Sequence, residues 1–143
     1  MVKVVKFGGS SLASAGQFAK AGEIIRSDES RKYVVPSAPG KRNDKDTKVT
    51  DMLYGCYAAA EAGEDFKPML RKIKDRFDTI INGLNLKTSL EDQFRTIEEN
   101  FKQKAGADYA ASRGEYLNGI IMADFLGYTF IDAAEVVFFD DKG

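Results

Sequence analysis

Three short stretches of this chain carry side chains and spacings that suit chemistry. The first is KFGGSS, residues 6–11. Its glycines let the backbone approach a phosphate closely and turn N–H groups toward an anion. Its serine hydroxyls add donors. Lys6 adds a fixed positive charge of the kind that stabilises a phosphoryl group in transfer. The run is neither GxxxxGK[ST] nor GxGxxG, because the lysine precedes the glycines. Two readings stand side by side: an anion cradle and a tight strand-to-helix turn. The second stretch is SAPG, residues 37–40, another loop of small residues. The third is SRGE, residues 112–115. Glu115 there can accept from the ammonium of an amino acid, and Arg113 can pair with a carboxylate. Equally, they read as an exposed helical glutamate and a surface arginine.

The surrounding pattern says which elements hold these stretches. Residues 2–7 are β-branched and weakly alternating, which predicts a strand. Gly8 to Ser11 breaks it. Ser14 or Ser11 can cap a helix running to about Ser27, with Phe18, Ala21, Ile24 and Ile25 on one face. KYVV, residues 32–35, predicts a second strand, so the start is a βαβ unit with a parallel pair. Strand ends on the same side of a parallel sheet lie close together, so FGGSS and PSAPG are expected to face one another across a crevice. The charged loop KRNDKDTK, residues 41–48, is either solvated or a flap that closes over a substrate. Thr50 opens a helix that Gly63 stops.

Two amphipathic helices follow, over about 66–81 and 89–104. Their stripes are Leu70, Ile73, Phe77, Ile80 and Ile81, and Leu90, Phe94, Ile97 and Phe101. Thr88 or Ser89 supplies a cap for the second. They are expected to form an antiparallel helical subregion around 64–106, with the stripes serving as core. Residues 108–126 are again helical, with Gly114 a place for a break or a restart. Residues 128–132 and 136–139 are predicted as strands. An α/β pattern with only three or four strands, ending on charged residues, suggests the N-terminal portion of a longer domain.

Composition narrows the function. The 143 residues suit one domain, and 43% hydrophobic with 30% charged residues is a soluble globular balance. Lys+Arg total 21 against 22 for Asp+Glu, so there is no overall charge case for nucleic acid or an anionic membrane. There is no histidine, so a Ser-His-Asp triad and a His-based zinc site are excluded. Cys56 is the only cysteine, which allows no internal disulfide and makes a cytoplasmic setting the default. No stretch approaches the ~20 apolar residues of a membrane span.

VVKFGGSS, the SAPG loop followed by Thr50-Asp51-Met52-Leu53, and SRGEYLNGIIMADFLG together closely resemble the aspartate kinases of the amino-acid kinase superfamily, in order and in spacing. That resemblance covers essentially the whole chain, with the 64–106 region its least diagnostic part. It implies an α/β fold: part of a three-layer αβα amino-acid-kinase domain with a mostly parallel sheet. It implies ATP and Mg²⁺ as cofactors, and L-aspartate as the substrate converted to 4-phospho-L-aspartate, a step toward lysine, threonine and methionine. Lys6 matches the family's lysine for the transferring phosphoryl group. Gly8, Gly9 and Ser10 match the nucleotide-phosphate loop. Ser37 matches a serine near the reacting groups, and Thr50 and Glu115 match positions that hold aspartate. No metal ligand is assigned. A homo-oligomer is expected.

Two departures qualify the resemblance. The second strand commonly ends VVSA in the family, whereas this chain has VVPSAPG. The family's catalytic domain also continues well past 143 residues, to further substrate and adenine contacts and paired ACT domains, so residues 1–143 alone are expected to be inactive. The alternatives are a glutamate- or carbamate-kinase-like relative and a non-catalytic anion-binding or assembly module.

Overall fold

The structure, a computed structural model, describes residues 1–142. Strand β1 (Lys3–Phe7) leads through a short 3-10 turn (Gly9–Leu12) to helix α1 (Ala15–Arg26) and strand β2 (Arg31–Pro36). Helices α2 (Val49–Glu61), α3 (Lys67–Gly83), α4 (Glu91–Lys102), α5 (Ala107–Leu126) and the one-turn α6 (Ala133–Val136) follow. The result is a mixed α/β arrangement that is mostly helical.

β1 and β2 pair in parallel, with Val5 opposite Val34 and Phe7 opposite Pro36. Side chains alternate across a strand. Val5, Phe7 and Val34 therefore pack against the helical core. Val4, Tyr33 and Val35 lie exposed, Val4 by 67%. Ser14, and not Ser11, caps α1, its Oγ accepting from the Gln17 N–H at 3.4 Å. Such a cap contributes about 1 kcal/mol. α1 buries Phe18, Ala21, Gly22 and Ile25, while Ile24 is half exposed. It lies so close to α5 that a Cβ on Gly22 would stand 2.7 Å from Phe125 Cε2.

The helical region differs from a separate subregion. Leu70, Ile73, Phe77, Phe94, Ile97 and Phe101 belong to the same buried cluster as Phe18, Leu53 and Leu117. Phe101 joins three elements at once, with ring centroids 5.3 Å from Tyr57, 6.0 Å from Phe66 and 6.3 Å from Tyr109. Cys56 lies fully buried in that cluster, and burial pushes its thiol up to about 12. Neither Thr88 nor Ser89 caps α4: its N-cap is Leu90, without a side-chain bond. Ser89 Oγ accepts only from the Glu91 N–H, and the Thr88 hydroxyl donates to Asp124 on α5 instead.

Two further expectations change. α5 runs through Gly114 without a break. A Cβ there would sit 2.6 Å from Ala38 Cβ, so the glycine answers to packing and not to a helix end. Residues 128–132 and 137–139 form no strand, and α6 occupies 133–136. A strand needs a neighbour for its backbone groups. Here Tyr128 reaches the Arg31 carbonyl through its hydroxyl, at 3.3 Å. Among the described residues, no helix is long and apolar enough to cross a membrane.

Candidate functional site

The loops after β1 and β2 come together as the parallel pairing requires, and they touch. Ser37 N donates to Phe7 O at 3.0 Å, and Gly40 N donates to Gly9 O at 2.8 Å. A Cβ on Gly40 would lie 2.6 Å from the Gly9 carbonyl carbon and 2.8 Å from Ser10 N. A Cβ on Gly9 would lie 3.0 Å from Ala38 O. The two glycines are therefore explained by each other. Gly8 is different. Its φ is −77°, which any residue adopts, and a Cβ there would meet nothing within 4 Å. Packing gives no reason for its small size, whereas a closely approaching anion would.

Lys6 sits one residue before Phe7 on the open side of the sheet, beside Val35 of β2. It is exposed and takes part in none of the ion pairs among the described residues. Ser10 is exposed, Ser37 half-buried, and Thr50 half-buried as the second residue of α2. Val49 N donates to Pro39 O at 3.1 Å, which joins the start of α2 to the second loop.

The charged loop is anchored on its inner side. Arg76 of α3 is only 6% exposed. Its Nη2 donates to Gly40 O at 2.7 Å and its Nη1 to Thr47 O at 3.0 Å, with Asp46 Oδ2 3.5 Å from Nη1. Arg42 Nε and backbone N both donate to Asp46 Oδ2, at 2.7 and 2.9 Å. The Arg42 hydrogen bond, with lesser help from the Arg76 charge, holds the Asp46 carboxyl well below the usual carboxylate range. Burial draws Arg76 down from its ordinary value, and Asp46 opposes that. A depressed carboxyl contributes stability above its unfolded value near 4, and loses it as pH falls through the lower folded value. Asp46→Asn should therefore flatten the acid limb. Between pH 6 and pH 2 the urea midpoint of the wild type should fall further than that of the variant, and parallel curves would contradict the assignment.

Glu115 is exposed on α5 and lines a cavity of about 700 Å³ with Pro36, Arg113, Tyr116 and residues of the 128–139 segment. Lys6, Gly8, Gly9, Ser10, Ser37 and Thr50 do not line that cavity. Arg113 is stacked over the Tyr109 and Tyr116 rings at 4.7 and 4.4 Å. One turn on, the fully buried Asn118 donates from Nδ2 to Ser37 O at 2.7 Å, while its Oδ1 has no partner. α5 thus touches the second loop through Gly114 and Asn118.

Arg76 and Asn118 are the residues that sequence reasoning missed. Both carried a signal. Arg76 interrupts the stripe between Ile73 and Ile80, and Asn118 stands between Gly114 and Ile121 at helical spacing. A polar side chain on an apolar helix face must find a buried partner.

No protein-family model matches the chain. Aspartokinase 3 of Bacillus subtilis (strain 168) is 38% identical over 141 residues, covering 94% of this chain and 31% of that protein. The crystal structure of Clostridium acetobutylicum aspartate kinase superposes with a TM-score of 0.95 at 49% identity, covering 99% of this chain and 33% of that one. This chain is an aspartate kinase homologue. The homologue spans about a third of the length of the relatives it matches. Escherichia coli aspartokinase III, in complex with aspartate and ADP, superposes with a TM-score of 0.70 at 23% identity, over 89% of this homologue and 29% of that chain. At that identity the likeness speaks for the fold.

Proposed function

We propose that this homologue forms the part of an aspartate kinase that holds the nucleotide phosphates and one side of the amino-acid substrate. The observation that carries the reading is the seam at the ends of the parallel strands. There Gly40 N donates to Gly9 O, with Lys6 and the open space at Gly8 beside it. Gly8, Gly9 and Ser10 line the nucleotide phosphates, and Lys6 supplies the charge that stabilises the transferring phosphoryl group. Ser37 stands near the reacting groups, and Thr50 and Glu115 hold L-aspartate. ATP as donor accords with the ADP bound by the E. coli relative.

The reaction needs no protein base, because the substrate β-carboxylate is already ionised at pH 7. One of its oxygens forms a bond to the γ-phosphorus. The bond from that phosphorus to the bridging oxygen breaks, and ADP leaves with the electron pair. Among the described residues, no three carboxylate, cysteine or histidine side chains stand close enough to hold a metal ion. Mg²⁺ would come with the nucleotide, since in phosphoryl transfer it is held by phosphates and water with only one or two carboxylates.

Calorimetric titration with ADP tests the phosphate site. Removing a charge-assisted contact costs about 1.5–3 kcal/mol, so Lys6→Ala should weaken ADP binding about tenfold or more. Equal affinity would remove Lys6 from the site. Because the chain spans a third of its relatives, it should form no aspartyl phosphate from ATP and L-aspartate on its own. ATP-dependent, hydroxylamine-trappable product would overturn that.

A further inference from the structure

The geometry points to Arg76 of α3 as a positioning residue for the two glycine loops. This inference rests on the proposed phosphate site for its functional meaning, and on the contacts alone for its structural one. The contacts run in series. Arg76 Nη2 donates to Gly40 O, and Gly40 N donates to Gly9 O. Gly40 thus receives the guanidinium at its carbonyl and grips the first loop through its N–H. Arg76 Nη1 holds Thr47 O, just before α2 begins, so the same side chain spans both ends of the loop between β2 and Thr50.

Burial makes the arrangement demanding. A guanidinium at 6% exposure must place its donors on protein acceptors, and here those are two carbonyls and one carboxylate. Its planar fork can reach Gly40 and Thr47 together, which an ammonium, as a compact point charge, cannot do with the same geometry. The carboxylate is itself fixed by Arg42, so Arg76 meets a preformed acceptor. α3 therefore contributes more than a core stripe. It sets the height of Gly40 against Gly9, and with it the direction of the N–H groups beside the open space at Gly8. A loop so tied is not free to swing as a flap at its 40 and 47 ends, although residues 41–45 between them are exposed.

Amide hydrogen exchange on the whole 143-residue chain tests the tether without any ligand. Arg76→Lys keeps the charge, and its far-UV circular dichroism should match that of the wild type. The Gly40 and Val49 amides should exchange at least about tenfold faster in this variant, with α4 amides unchanged. Arg76→Met should show the same pattern more strongly; if it does not fold, the lysine variant decides. Unchanged Gly40 exchange in Arg76→Lys would overturn the tether. The second readout is ADP affinity, which should fall about tenfold in Arg76→Lys at a temperature where that variant is fully folded, a loss of about 1.4 kcal/mol. Equal ADP affinity in the two proteins would overturn the functional role while leaving the tether standing. If the wild type binds no ADP, the phosphate site fails, and exchange still decides on Arg76.

Discussion

Gly40→Ala should cost about 1.5–4.5 kcal/mol of folding stability. The figure combines about 1–3 kcal/mol for forcing a methyl into packed space with about 0.5–1.5 kcal/mol for a lost backbone hydrogen bond. The space belongs to backbone: the new carbon would stand 2.6 Å from the Gly9 carbonyl carbon and 2.9 Å from its oxygen. Backbone cannot rotate out of the way as the end of a side chain can. The two loops must separate, and the Gly40 N to Gly9 O bond breaks with them. Gly8→Ala is the matched control. It has free space and an ordinary φ, so it should stay within about 0.5 kcal/mol of wild type. Urea unfolding of both variants checks this. A Gly40→Ala curve that overlays wild type would mean that the loops do not meet as described. The control has a second use: if ADP binds, Gly8→Ala should weaken it although stability is untouched.

The larger effect is expected at Phe101. Phe101→Ala should remove about 3–5 kcal/mol, the usual cost of emptying a buried phenylalanine site. A domain of this size is stable by only about 5–15 kcal/mol, so about a fifth of the total or more is at stake. Phe101 is fully buried, and its ring meets Tyr57 of α2, Phe66 before α3 and Tyr109 of α5. Because those partners lie in one continuous cluster, the whole molecule should unfold in a single transition shifted to lower denaturant. Tyrosine fluorescence and far-UV circular dichroism should coincide. Two separated transitions, or a loss below about 1 kcal/mol, would mean that α3 and α4 form a unit of their own.

Much of this arrangement was legible from local pattern. Ser14 before α1, Gly63 after α2 and the stripes of α3 and α4 all follow from short-range rules, and they fall where expected within a residue or two. The parallel β1–β2 pair followed from the strand–helix–strand spacing, and with it the meeting of the two glycine loops. What sequence could not supply was long-range. Gly114 looked like a break because a helix glycine costs about 1 kcal/mol against alanine. Only the position of Ala38, far away in the chain, shows why no larger residue fits. The strands expected after Leu126 have suitable residues, but strand formation depends on a neighbour, which no local pattern reveals. Arg76 was hidden for the opposite reason. Its helix follows the apolar period, and that period names no partner for the one charged residue on the buried face.

The open side of the two-stranded sheet bears on how strongly Lys6 can act. Val4 precedes it by two residues and Val35 stands opposite, both bare to solvent. In water a unit charge 4 Å from an anion gains about 1 kcal/mol, whereas near a partly covered protein surface the same pair gains about 4 kcal/mol. The lysine is identical in both settings. The difference lies in whether apolar neighbours are covered and water is excluded from between them. The valines flanking Lys6 are thus the residues that set the local dielectric, and the strength of its charge is a property of that face of the sheet as much as of the ammonium itself.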